Sequence, residues 1–421
     1  MSTQYLSRIA DKALDFSLEA SGAVLIEGPK WCGKTRTAQE KANSVLYMQD
    51  PDYTLSYLKA ADTKPSLLLK GETPRLIDEW QMAPVLWDAI RFAVDQRQDT
   101  GQFILTGSAA SKDNLVWHTG TGRISRMMMR PMSLFESMES NGSVSLKELL
   151  DENTDAECMS SLPIESLAFA LTRGGWPASI MEKESVALKR VYDYVEAVIN
   201  VDISKVDEVE KDPARVRALM RSLARNVATT ATLSTIHGDI AANEETISEK
   251  TISSYLTALR RIFVVEDLPA WSPAMRSKTT IRTSPKRHFC DPSIAAAVLR
   301  ATSDALLRDF NTFGLLFESL CIRDLRVYAQ ANDGEVFHYR DRDGLEADAV
   351  VHLKDGRWGA IEVKMGAKEI EIAAENLKKL RDKVNLEKMK APSFLMVLTA
   401  TELGYRRDDG VYIVPIGCLR D

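Results

Sequence analysis

The sequence predicts an α/β protein in parts: an N-terminal parallel-sheet domain, a helical and winged-helix middle, and a second α/β domain at the C-terminus. Three observations predict this. Short apolar runs alternate with helix-like stretches over the first third of the chain, as strands joined by helical crossovers do. A strand-poor, helical pattern takes over from about residue 160. Alternation of apolar and polar residues returns after residue 310. With 421 residues, 45% hydrophobic and 27% charged, the chain is long enough for two to four globular domains.

The first element is an amphipathic helix over 5–20, with Leu6, Ile9, Ala10, Ala13, Leu14 and Leu18 at helical spacing. The continuous run Ala23-Val24-Leu25-Ile26 reads as a strand buried on both faces. Similar runs at 44–48, 75–78 and 102–106 supply three more parallel strands. The stretch 136–157 holds seven acidic residues against Lys147 alone and includes Asn141-Gly142, which reads as a surface connection. Helices are expected over 187–200 and 213–226. A helix from Thr251 to Leu259 running into Ile262-Phe263-Val264-Val265 and a basic hairpin has the pattern of a winged helix. One helix and strands at 336–340, 347–353, 358–363, 393–398 and 411–415 complete the second α/β unit. The domains are accordingly placed at 1–138, 160–230, 231–290 and 300–421.

Net charge is −6, so bulk charge cannot bind nucleic acid and only a local basic face could. Residues 251–290 offer one. They carry seven Lys or Arg (Arg260, Arg261, Arg276, Lys278, Arg282, Lys286, Arg287) against Glu266 and Asp267, a local charge of +5. Double-stranded DNA is the partner such a face implies, and a packing module is the alternative. Five scattered cysteines without a C-x-x-C pair argue against a disulfide framework or a zinc site. The five histidines show no metal-ligand spacing. The N-terminus has neither the basic nor the apolar region of a signal peptide, and no apolar run approaches the ~20 residues of a membrane span. The expectation is a cytoplasmic protein without a membrane partner, and a homo-oligomer is left open.

The run Gly28-Pro29-Lys30-Trp31-Cys32-Gly33-Lys34-Thr35 fits G-x-x-x-x-G-K-[ST] between a strand and a helix. In that context backbone N–H groups face phosphate oxygens, Lys34 neutralises the β- and γ-phosphates, and the Thr35 hydroxyl ligates Mg²⁺. ATP is the substrate this implies. Leu76-Ile77-Asp78-Glu79 ends another strand with paired carboxylates, Asp78 to hold Mg²⁺ and Glu79 to polarise the attacking water. Ile104-Leu105-Thr106-Gly107-Ser108 ends the next with two hydroxyls.

Together GPKWCGKT, LIDEWQ and ILTGSAA resemble the ATPase domain of a large prokaryotic AAA-type family whose members carry an uncharacterised C-terminal region. The resemblance implies that Asp78 and Glu79 are the acidic pair and that Ser108 or Thr106 senses the γ-phosphate. Gly122-Arg123 and Pro131-Met132-Ser133-Leu134-Phe135 match further family elements. They imply that Arg123 supplies charge to a phosphate in cis or in trans. Arg173-Gly174-Gly175-Trp176-Pro177 is similar to the G-x-P element of signal-transducing ATPases with numerous domains, where the proline, here Pro177, packs on adenine.

Near the C-terminus Asp348 lies in an alternating strand, and Glu362 and Lys364 share one face of the next. Glu318 sits upstream in a helix. This Glu, Asp, Glu-x-Lys series resembles the PD-(D/E)xK restriction-endonuclease-like fold. The resemblance implies that Glu318, Asp348 and Glu362 gather Mg²⁺ and that Lys364 positions a water against a phosphodiester. Two functions follow from the sequence. One is an ATP-hydrolysing switch acting on DNA with a nuclease-like domain. The other is a regulatory ATPase whose C-terminal domain is a non-catalytic binding or assembly module.

Overall fold

A computed structural model describes residues 5–107, 120–154, 156–206, 209–242, 247–273 and 284–421. The chain divides into two compact units. One runs to Pro131 and includes Arg261–Phe263; the other holds most of the chain from Met132 onward.

The first unit is built on a five-stranded parallel sheet. Its strands are β1 (Ala23–Glu27), β2 (Ser44–Tyr47), β3 (Arg75–Asp78), β4 (Phe103–Thr106) and β5 (Ile124–Met128), in the order β2-β3-β4-β1-β5. The side-chain period of two splits the apolar runs between two cores. Ala23, Leu25, Ile77 and Leu105 face Trp80, Trp87 and Ile90, the last two on the helix Val85–Arg97. Val24, Ile26, Leu76 and Ile104 face Leu14 and Leu18 of helix α1 (Ala10–Ala20). Four of these strands stand where the sequence puts them. The fifth was not anticipated, because Ile124-Ser125-Arg126-Met127-Met128 is half polar, as an edge strand is.

In the second unit a seven-stranded mixed sheet has the order β7-β12-β13-β11-β10-β9-β8. A short strand β6 (Val144–Ser145) precedes β7 (Cys158–Met159), and the others are β8 (Gly334–Arg340), β9 (Glu346–Leu353), β10 (Trp358–Lys364), β11 (Phe394–Thr399), β12 (Leu403–Arg406) and β13 (Tyr412–Pro415). A last strand, β14 (Leu419–Arg420), pairs with β6. The acidic stretch 136–157 is therefore not a surface connection. Val144, Leu146, Leu149 and Leu150 are buried beneath its charges, its strand β6 pairs with β14, and β7, which directly follows it, pairs with β12. Four apolar side chains among seven carboxylates were too few to shift the composition, yet they decide the packing.

Along the chain from β7 to β8 come mostly helices, including α2 (Ile164–Arg173), α3 (Glu184–Ala197), α4 (Pro213–Arg225), α5 (Glu249–Arg261), α6 (Pro292–Leu299) and the long α7 (Phe310–Ala331). After α5, residues 264–270 meet 286–289 through antiparallel bridges Val265↔Phe289 and Leu268↔Lys286, and Ala270 continues onto His338 of β8. The tip of the expected wing, with Arg276, Lys278 and Arg282, lies outside the described residues.

Gly175 marks a close approach. Its carbonyl accepts from the Met132 N–H at 2.7 Å, and a Cβ there would lie 2.1 Å from the Met132 carbonyl oxygen. Gly175→Ala is expected to destabilise the second unit by about 1–3 kcal/mol, since backbone cannot move aside as a side chain does. A melting temperature equal to that of the wild type would show the approach to be relaxed.

Candidate functional site

In a parallel sheet the strand carboxyl ends form one edge, where loops converge. Here β1 delivers the loop 28–35, β2 delivers Gln49, β3 delivers Asp78 and Glu79, and β4 delivers Thr106. The strand order sets β4 between the strands of the loop and the acidic pair, which is why Thr106 can reach Asp78. Asp78 is the hub. Its Oδ1 accepts from Thr35 Oγ1 at 2.7 Å and Thr106 Oγ1 at 2.5 Å, and its Oδ2 accepts from Gln49 Nε2 at 2.6 Å. Lys34 is buried, and its Nζ donates to the carbonyls of Gly28 (2.8 Å) and Pro29 (2.7 Å). The turn needs its glycines. Gly33 has φ +103°, and Gly28 has φ +148° with no room for a Cβ beside the Met129 carbonyl. Lys30 and Trp31 sit on the outer side of the loop, Trp31 half exposed with φ +67°, and Cys32 is buried with its Sγ against the Met129 carbonyl.

Glu79 follows in the left-handed region, φ +57°, and accepts from Gln81 Nε2. Burial and the charge of Asp78 hold its carboxyl above the ordinary value. Sequence reasoning missed three neighbours. Gln49 was signalled only by being polar at a strand end, and Gln81, although it closes the LIDEWQ run, was given no role. Arg8 braces the loop from the N-terminus, donating to the carbonyls of Cys32 and Arg130, each at 2.8 Å. One expected residue, Arg123, is not brought to this edge. Arg123 immediately precedes β5, its carbonyl accepting from the Ala23 N–H, so it stands at the amino ends of the strands and pairs with Asp95 at 2.7 Å. That position removes a role for it in cis. Ser108 lies outside the described residues.

Pro177 belongs to the second unit, in a short turn after Trp176. The Gly-Gly-Trp run before it is pinned into a buried polar knot. The Gly175 N–H donates to Asp291 Oδ2 at 3.0 Å, Trp176 Nε1 donates to Ser293 Oγ at 3.0 Å, and Arg323 bridges Asp291 (2.9 Å) and Asp324 (2.7 Å).

The C-terminal residues do converge. Ile361 of β10 opposes Ala349 of β9, which sets Glu362 beside Asp348, and the Val363 N–H donates to Asp348 Oδ2 at 2.9 Å. Lys364 Nζ reaches Glu362 Oε2 at 2.7 Å and Asp348 Oδ2 at 3.4 Å. Glu318 arrives from α7, but through an intermediary. Lys286 Nζ lies 2.6 Å from Glu318 Oε1 and 2.9 Å from Asp348 Oδ1. Burial alone would push the Lys286 ammonium down; the carboxylates of Asp348 and Glu318 outweigh it and hold it above its ordinary value. Burial likewise raises Glu318, to about 8, and Glu362, to about 7, with the Asp348 charge adding to both. Asp348, despite its burial, is drawn down to about 2 by Lys286 and Lys364.

The basic face of the middle segment is correspondingly smaller than its sequence suggests. Lys286 and Arg287 are both about 5% exposed, and Arg287 is bound to Asp267 at 2.8 Å. Arg260, partly exposed, pairs with the same Asp267. Counting charges along a chain cannot show that partners fold in from elsewhere.

The Mg²⁺ implied with ATP fits its donor set. The Thr35 hydroxyl and the Asp78 carboxylate are hard oxygens already in contact. The C-terminal donor set does not fit in the same way. The place between Glu318 and Asp348 is taken by an ammonium, and among the described residues no group of three or more His, Cys, Asp or Glu side chains is placed to hold a metal ion.

This fold and site define the N-terminal unit as an AAA-type P-loop ATPase domain, and residues 20–138 match a family model described as an AAA domain. Residues 164–305 and 313–419 match two domains of unknown function, DUF8612 and DUF4143. Two uncharacterized mycobacterial proteins, Rv2008c of Mycobacterium tuberculosis and Mb2031c of Mycobacterium bovis, are each 24% identical over 365 residues, 85% of this chain and 73% of theirs. Among solved structures the chain is similar to the Walker-type ATPase PABY2304 of Pyrococcus abyssi, at 15% identity over 70% of this chain and 96% of that one, with a TM-score of 0.43. A variant of Thermotoga maritima RuvB is 16% identical over 62% of this chain and 89% of its own, with a TM-score of 0.28. Likeness of that degree adds nothing to the family match. No helix among the described residues is long and apolar enough to cross a membrane.

Proposed function

We propose that the chain is an ATP-hydrolysing switch, with ATP held by 28–35 and turned over by the Asp78–Glu79 pair. The observation that carries this is the gathering of Thr35, Thr106 and Gln49 on Asp78, directly beside the loop bearing Lys34. Lys34, now on two loop carbonyls, meets the β- and γ-phosphates by exchanging one set of oxygens for another. Thr35 and Asp78 would hold Mg²⁺, which supplies charge neutralisation at the phosphates. Glu79, made more basic by burial and by Asp78, accepts the proton of the attacking water. The test is phosphate release from Mg·ATP by the full chain, lost in Asp78→Asn. A role for Arg123 is confined to acting in trans, in a homo-oligomer, and Ser108 or Thr106 serves as the γ-phosphate sensor.

The switch acts on DNA in the first of two readings of its remainder, through the exposed part of the middle segment and a nuclease-like C-terminal domain. Among the described residues of the segment, Arg260 and Arg261 are the charges left to meet phosphate. Replacing both by Ala is expected to shrink the slope of log K against log salt by roughly 1.8, at about 0.9 per phosphate contact. An unchanged slope in duplex-DNA titrations removes them from any such interface. The second reading, a non-catalytic C-terminal binding or assembly module, is favoured by one observation, the pairing of Lys286 with Glu318 and Asp348.

A further inference from the structure

We infer that Lys286 takes the place of the divalent cation in the C-terminal carboxylate cluster, so that this domain is complete without a metal at Asp348. The inference rests on the second of the two readings above. Both oxygens of Asp348 are engaged, Oδ1 by Lys286 and Oδ2 by the Val363 N–H and Lys364. Glu362 is held by Lys364, and Glu318 by Lys286. Three carboxylates thus share two ammonium groups, which is close to charge balance once one carboxyl keeps a proton. A dication entering the same oxygens would meet two fixed positive charges within a few ångströms.

Lys286 is not a mobile side chain that has fallen into the cleft. Its backbone N–H and C=O both pair with Leu268, at 3.0 and 2.9 Å. The next residue is clamped as well, Arg287 Nε on the Ala231 carbonyl at 2.9 Å and its guanidinium on Asp267. His288, two residues on and wholly buried, bonds Ser319, the neighbour of Glu318, at 3.1 Å. The backbone of Lys286 and the side chains of the next two residues therefore hold in place the segment that carries the ammonium. The cation is delivered by the chain itself, from a segment that resembles nothing in a Glu, Asp, Glu-x-Lys series.

The test uses the nucleotide-free full chain and Mn²⁺, followed by calorimetry and by the electron paramagnetic resonance of free Mn²⁺. Wild type and Asp348→Asn are expected to give superimposable isotherms, any weak binding at Thr35 and Asp78 appearing in both; Glu318→Gln provides a second pair should Asp348→Asn not fold. Lys286→Met is expected to gain one site, at least tenfold tighter than this background, that Lys286→Met/Asp348→Asn lacks. One more Mn²⁺ bound by wild type than by Asp348→Asn, or a folded Lys286→Met with no added site, overturns the inference. If Lys286→Met does not fold, the wild-type comparison decides alone. Duplex-DNA cleavage is measured on the same samples. Mn²⁺ bound at Asp348 without cutting sinks the inference and leaves the non-catalytic reading; cutting without the extra Mn²⁺ does the reverse.

Discussion

Lys34→Ala is expected to weaken ATP binding by roughly 100-fold or more, while Glu79→Gln keeps ATP bound and stops its turnover. The two substitutions separate because the side chains act at different moments. Lys34 contributes a charge-assisted contact to phosphate oxygens in the ground state, about 2–3 kcal/mol of affinity. Glu79 contributes only when a water attacks, so its loss should cost ~10²–10⁴-fold in kcat with little change in affinity. Fluorescent-nucleotide titration and phosphate release measured together check both. Wild-type turnover in Glu79→Gln would end the assignment of the acidic pair. Glu79 must be ionised to accept a proton, and burial with Asp78 raises its pKa. Turnover should accordingly fall on the acid side at a pH above the ordinary glutamate range, and more so in variants that bury it further.

The largest effect on stability is expected from Arg323→Met. Arg323, 2% exposed, lies between Asp291 and Asp324, both fully buried. Burial alone would lower its guanidinium; the two carboxylates outweigh that and raise it strongly. Deleting the cation leaves two carboxylates facing each other out of water, a loss of about 3–5 kcal/mol, or on the order of 10 °C in melting temperature. Methionine keeps much of the volume, so the loss reports charge rather than a cavity. A shift of less than about 2 °C in calorimetry would mean that water reaches the knot.

Where a candidate site is written into a contiguous run, its place in the fold was legible. Gly28 to Thr35, Asp78, Glu79 and the Glu362–Lys364 strand are local patterns, and the fold places them at strand ends and strand faces as their spacing requires. Asp348 and Glu318 were legible for the same reason, each by its own strand or helix pattern. What could not be read is pairing across the chain. Lys286 looks, in its own neighbourhood, like one more charge in a basic segment, and its partners are 32 and 62 residues away. The Asp291–Arg323–Asp324 knot has no local signature either, since an Arg-Asp dipeptide in a helix is usually a solvated face. Val144 and Leu146 were hidden by the acids around them. In each case the deciding quantity is desolvation, which depends on neighbours that only the tertiary fold supplies.

Helix α7 has one further property, which is mechanical. Toward its middle it carries Glu318; one and a half turns on, Asp324 accepts from the Leu134 N–H at 3.0 Å, and Tyr328 accepts from the Phe135 N–H and donates to the Leu419 carbonyl. Residues 134 and 135 lie only a few positions beyond Pro131, where the chain leaves the ATPase unit. From Glu318 to Tyr328 is ten residues, about 15 Å of stiff rod at 1.5 Å per residue. Within the second unit one stiff element thus joins the backbone at 134–135 to Glu318, whose partner Lys286 is fixed separately, through its backbone pairing with Leu268. A hydrogen-bonded ion pair tolerates only tenths of an ångström before it weakens. The Glu318–Lys286 pair at the near end is accordingly the contact most sensitive to a shift of α7 along its own axis.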